Sequence, residues 1–81
     1  MEIFPGISMD PKIRFGKPCI GGTRIDVATV LGGLASGASA EQLESEYRLS
    51  REQILAVLGY AAHIAGHLPP AVGSSEENSS R

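Results

Sequence analysis

Eighty-one residues with 42% hydrophobic and 20% charged side chains make one small globular domain at most. The lone cysteine, Cys19, excludes an internal disulfide and leaves too few closely spaced ligands for a structural zinc site, which fits a reducing cytoplasm and no cofactor. The net charge of −2 provides no general attraction for nucleic acid, and neither a signal-peptide pattern nor an apolar run of about 20 residues is present, so a soluble protein without membrane contact is expected.

Residues 1 to 24 mix Ile3, Ile7, Ile13, Phe15 and Ile20 with Pro5, Pro11, Pro18, Gly6, Gly16, Gly21 and Gly22. That composition predicts short strands broken by turns, a β-arm or hairpin within residues 3 to 22. Asp10-Pro11 suits a turn, since proline presets φ and the aspartate can bond the backbone two residues on. Ile13 and Phe15 on one side and Arg14 on the other give a brief strand-like alternation.

A three-helix unit over residues 25 to 70 follows from capping and apolar spacing. Asp26 caps a first helix, near 27 to 36, that carries Val27, Val30, Leu31, Leu34 and Ala35 on one face and stops at Gly37. Gly32 and Gly33 each cost that helix about 1 kcal/mol relative to alanine, and close packing on another backbone is the expected reason for both. Ser39 with Gln42, and Ser50 with Gln53, are capping boxes that open helices near 40 to 47 and 51 to 65. Leu49 precedes the second cap, where it can staple onto Ile54.

The third helix is apolar on more than one side: Ile54, Val57, Leu58, Ala61 and Ala65 form one stripe, widened by Leu55, Ala62 and Ile64. A domain of about 70 residues hides only roughly 60% of its chain's surface and often gains stability by association. A homodimer through Leu55, Leu58, Ala62 and Ile64, with the glycine-bearing face of the first helix, is therefore expected. Leu68-Pro69-Pro70 ends the helix, and residues 71 to 81 read as a flexible polar tail.

Charge is unevenly distributed. Lys12, Arg14, Lys17 and Arg24 occur without an intervening acid, whereas Asp26, Glu41, Glu44, Glu46 and Glu52 outnumber Arg48 and Arg51 in the helices. With Thr23 as a further donor, these cations are the candidate phosphate contacts. Two copies would offer eight cations and a log-log salt slope no steeper than about −7. The segment Gly16 to Ile25 is either a structural turn with positive φ at Gly-Gly or such a turn that also touches a partner. A recognition helix needs several polar or basic side chains at base edges; the third helix offers Arg51, Gln53, Tyr60 and His63 amid apolar residues, which favours burial in a dimer over groove insertion. His63 and His67 share a face but lack a third ligand and the glutamate of an H-E-x-x-H site. Cys19 has no base beside it in sequence. No constellation points to catalysis.

The block Asp10-Pro11, Gly16-Lys17-Pro18 and Gly21-Gly22-Thr23-Arg24-Ile25, followed by Gly37-Ala38-Ser39 with Glu41, Tyr47 and the Leu49-Ser50 cap, resembles the signature of the small bacterial family called domain of unknown function 433. The resemblance covers about residues 7 to 65. It departs from the usual pattern at Gly22, where a bulkier, commonly basic residue is frequent, and at Asp26, where proline is frequent. The resemblance implies a homeodomain-like, helix-turn-helix fold and a place among antitoxins of VapB type, encoded beside a toxin with a PIN-like nuclease domain. Such a protein is expected to bind the toxin, block its active site and contact operator DNA. A non-enzymatic binding module of this kind, the antitoxin of a type II toxin–antitoxin pair, is the leading expectation. The alternative is a structural or scaffolding homodimer without nucleic-acid contact.

Overall fold

The structure, a computed structural model, describes residues 1–69 and Ala71. Apart from Ala71, the tail expected over residues 71 to 81 lies outside the described residues. The arm is a three-stranded antiparallel sheet in the order β1-β2-β3, formed by β1 (Glu2–Phe4), β2 (Ile7–Ser8) and β3 (Cys19–Ile20). Pro5 and Gly6 make the two-residue turn between β1 and β2, with Gly6 at φ +85° as a type II turn requires. Ile7 then pairs with Ile20 across the sheet.

After β3 the chain doubles back at once. Thr23 Oγ1 donates to the Ile20 carbonyl at 2.8 Å and accepts from the Ile25 amide at 3.0 Å, closing the glycine-rich turn. The amides of Ile20 and Val27 donate to the carbonyls of Ile25 and Pro18 at 2.9 Å each, which delivers the chain into α1 (Val27–Ala35). Helices α2 (Ala40–Tyr47) and α3 (Arg51–Gly66) follow.

Local chemistry sets every helix start. Asp26 caps α1 by accepting from the Thr29 amide at 2.8 Å. Both capping boxes form, with Ser39 and Ser50 accepting from the Gln42 and Gln53 amides while those glutamines accept from the cap amides. Gly37, at φ +104°, ends α1: its amide donates to the Leu34 carbonyl and that of Ala38 to Gly33, the paired bonds of a Schellman motif.

One core joins sheet and helices. Ile7 and Ile20 from the sheet meet Val27 and Val30 of α1, Leu43 of α2, Leu49, and Ile54 and Val57 of α3. Leu49 and Ile54, the staple pair, are both buried. The hairpin lies close on α3: a Cβ on Gly6 would sit 3.0 Å from that of Ala56, and the Phe4 ring lies 3.5 Å from where Gly59 would carry one. Phe4 also meets Tyr60 edge to face at 5.7 Å.

The two glycines of α1 differ. A Cβ on Gly33 would lie 2.9 Å from the Leu43 side chain, whereas one on Gly32 would meet nothing within 4 Å. Close packing therefore accounts for Gly33, against a side chain rather than a backbone, and not for Gly32. Gly32→Ala is expected to raise stability by about 1 kcal/mol, while Gly33→Ala loses that gain to overpacking of about 1–3 kcal/mol. Urea denaturation of both variants checks the split.

The alternation read at Ile13 and Phe15 is corrected. Residues Arg14–Gly16 form a single tight turn in which Arg14, Phe15 and Gly16 all have positive φ, at 52°, 58° and 80°. Ile13 is half-buried and Phe15 is 93% exposed, so the two do not share a face. Period-2 spacing needs at least a run of extended residues, and the bond from the Gly16 amide to the Ile13 carbonyl ends that run after one.

Candidate functional site

The candidate DNA contacts lie in and around the loop between β2 and β3. Asp10 Oδ1 accepts from the Lys12 amide at 2.9 Å, the turn expected of Asp10-Pro11. The Ile13 amide then donates to the Asp10 carbonyl, and the Lys17 amide to that of Arg14 at 3.1 Å. The loop closes on itself, since a Cβ on Gly16 would lie 3.8 Å from the Pro11 Cα. Lys12 follows Pro11 inside this loop and Lys17 follows Gly16 just outside it, while Phe15, next to the closing glycine, is 93% exposed.

The predicted cations fall into two kinds. Lys12, Lys17 and Arg24 are exposed and have no ionic partner among the described residues. Arg14 instead donates through Nε and a terminal nitrogen to Asp26 Oδ2, at 3.3 Å each. The Asp26 carboxylate therefore divides its work, Oδ1 capping α1 and Oδ2 holding the arm. Thr23 is likewise engaged, in the turn after β3.

Asp26 is the one buried charged residue among those described. Hydrogen bonding from Thr29 holds its carboxyl below the ordinary value of 3.8; burial opposes this, and Arg14 reinforces it. Cys19 is buried beside it, and burial pushes the thiol up, with the nearby Asp26 charge adding to the rise. A thiol so placed is a small core hydrophobe rather than a nucleophile.

The four residues expected at a dimer interface are all exposed, in two groups. Leu55, Leu58 and Ala62 follow one another at i, i+3 and i+7 on a side of α3 that no other element covers, with Leu55 56% and Leu58 42% exposed. Leu58, which the sequence places both in the stripe with Ile54 and Val57 and among the interface residues, lies on this outer side. Ile64 continues the line of Val57 and Ala61, but from Ala62 onward every residue of α3 is exposed. Arg51, at the start of the outer stripe, is tied to Glu44 at 3.1 Å and Glu41 at 3.3 Å.

The histidines lie side by side: the His63 and His67 ring centroids are 4.0 Å apart with the planes tilted by 41°, and His67 Nδ1 is 2.8 Å from the His63 carbonyl, which makes that nitrogen the donor. His63 also lies against Phe4 at 5.3 Å. Among the described residues no pocket and no group of three metal-ligating side chains forms, and no helix is long and apolar enough to cross a membrane.

Sequence reasoning missed two features here. The Arg14–Asp26 pair spans twelve residues and leaves no local pattern. Phe15 was hidden by its neighbour Ile13, which suggested a strand; the Phe15-Gly16 step was the available signal for a turn. A family model described as Protein of unknown function (DUF433) matches residues 7–61. No curated protein and no solved structure matches the chain.

Proposed function

The chain belongs to the DUF433 family, and we propose that it is a cytoplasmic binding module without catalytic activity, the antitoxin of a type II toxin–antitoxin pair. In this reading α3 joins two copies and holds a PIN-like nuclease toxin, and the arm contacts operator DNA. The observation that carries it is the uncovered apolar stripe of Leu55, Leu58 and Ala62 on the longest helix. In a chain this small, large aliphatic side chains aligned on one uncovered helix face are the composition of an interface core.

The helices support a helix-turn-helix reading through spacing, since α2 and α3 are separated only by Arg48, Leu49 and Ser50. They do not favour α3 as the DNA reader, because its outer stripe is apolar and Arg51 is held by two glutamates. The arm is the better footprint. Arg14 is paired with Asp26, so three unpaired cations per copy remain, and a dimer would show a salt slope no steeper than about −5.

Co-expression with the product of the adjacent reading frame tests the reading. The expected result is a stable complex that silences a nuclease activity and binds the DNA upstream of the gene pair, with affinity falling along that slope as salt rises. A neighbour that neither co-purifies nor is silenced would overturn the antitoxin reading and leave a scaffolding homodimer.

A further inference from the structure

We propose that Phe15 is a wedge, driven between stacked base pairs of duplex DNA while Lys12 and Lys17 hold backbone phosphates on either side. The proposal deepens the operator-binding half of the reading above and rests on it.

Two adjacent non-glycine residues in the left-handed region are costly for L-amino acids, and such outliers persist only where their surroundings hold them. Here both sides are held. Arg14 is fixed by its two bonds to the buried Asp26, which is itself locked into the first turn of α1. On the other side Gly16 rests near Pro11, and the Lys17 amide bonds back to Arg14.

What this turn accomplishes is to present a phenyl ring that is 93% exposed and lies outside the hydrophobic core. Folding gains nothing from burying it. A glycine would adopt φ +58° more readily, so the side chain at this position works against the local backbone.

Charge identifies the occupant. From Pro11 to Ile25 the chain has no acid; at its ends Asp26 is paired with Arg14, and Asp10 keeps its charge while accepting from the Lys12 amide. The ring therefore belongs to a short basic segment in which Lys12 and Lys17, both exposed, precede and follow it in the chain. Duplex DNA supplies the matching pattern, an apolar base step with phosphates on both sides, and an apolar wedge between basic side chains is a recurrent way to kink it. A protein pocket would have to bring its own carboxylates to Lys12 and Lys17.

Because the chain has no tryptophan, Phe15→Trp gives a unique fluorophore at the tip. The full chain is titrated with end-labelled duplexes, one with central TpA steps, which unstack easily, and one with a stiff A-tract. Expected are tighter binding to the TpA duplex, shortening of its end-to-end distance, and quenching of the Phe15→Trp emission. Phe15→Ala and Phe15→Gly should each lose about tenfold or more in affinity, the scale of one base–aromatic contact, and abolish the bend while keeping the salt slope. Phe15→Gly should also unfold at an equal or higher temperature. The Lys12→Ala, Lys17→Ala double variant should flatten the slope.

Unchanged affinity and bending in Phe15→Ala would overturn the proposal. So would a loss confined to capture of the neighbouring toxin, which would make Phe15 a protein anchor. Toxin capture without any duplex binding would remove the wedge and leave the antitoxin reading standing. Duplex binding and bending without toxin capture would keep the wedge and remove that reading.

Discussion

Asp26→Ala is expected to lower stability by about 2–3 kcal/mol, a large share of what a domain of this size possesses. Loss of the cap on α1 accounts for about 1 kcal/mol. The charge-assisted bond from Arg14 adds about 1–2 kcal/mol, discounted because Arg14 is half exposed and solvent screens it. At about 4–8 °C per kcal/mol for a domain this small, the unfolding midpoint should fall by roughly 10–20 °C. Asp26→Asn, which caps well but carries no charge, should recover about half of the loss. The pH dependence has a defined sign. A carboxyl whose folded value lies below 3.8 stabilises fully above about pH 5 and loses that contribution as pH falls through its depressed value. Thermal melts of wild type and Asp26→Asn should therefore converge in acid below the ordinary carboxylate range. A gap that persisted there would assign the effect to shape rather than to charge.

The second large effect concerns association. Leu55→Glu with Leu58→Glu places two charges per copy on the uncovered stripe of α3. Both positions are exposed in the single chain, so each change alone should move its stability by no more than about 0.5 kcal/mol. Across a two-fold interface the same charges would be buried against one another, costing about 3 kcal/mol or more, over a hundredfold in the dimer dissociation constant. Light scattering at micromolar concentration should show wild-type dimers and variant monomers, with unchanged helical circular dichroism. Capture of the toxin should weaken with it if α3 carries both contacts. A wild type that stayed monomeric and variants that captured toxin unaltered would make the stripe an idle surface.

These two sites differ in how far they could be read in advance. Asp26 as a cap, the Ser39–Gln42 and Ser50–Gln53 boxes, the stop at Gly37 and the Asp10-Pro11 turn all rest on bonds between groups two to five residues apart. Geometry over such short separations follows from residue type alone, and the three helices begin and end within a residue of where those signals put them. The apolar stripe of α3 was legible as a composition, two-sided and too wide for one core.

Which side of that helix would be covered was not legible. It depends on the hairpin settling on Ala56 and Gly59, and on α1 and α2 closing over Ile54 and Val57, contacts that no periodicity encodes. The same holds for Gly32 and Gly33, identical in sequence terms and separated only by where Leu43 falls. The arm shows the limit most clearly. The sequence determined that it would be basic and broken by turns, because charge and proline act locally. The tertiary structure decided that Arg14 would be drawn to Asp26, twelve residues away, and that the left-handed turn so anchored would carry Phe15 out of a strand and into solvent, because a long-range ion pair can hold a backbone conformation that local preference disfavours.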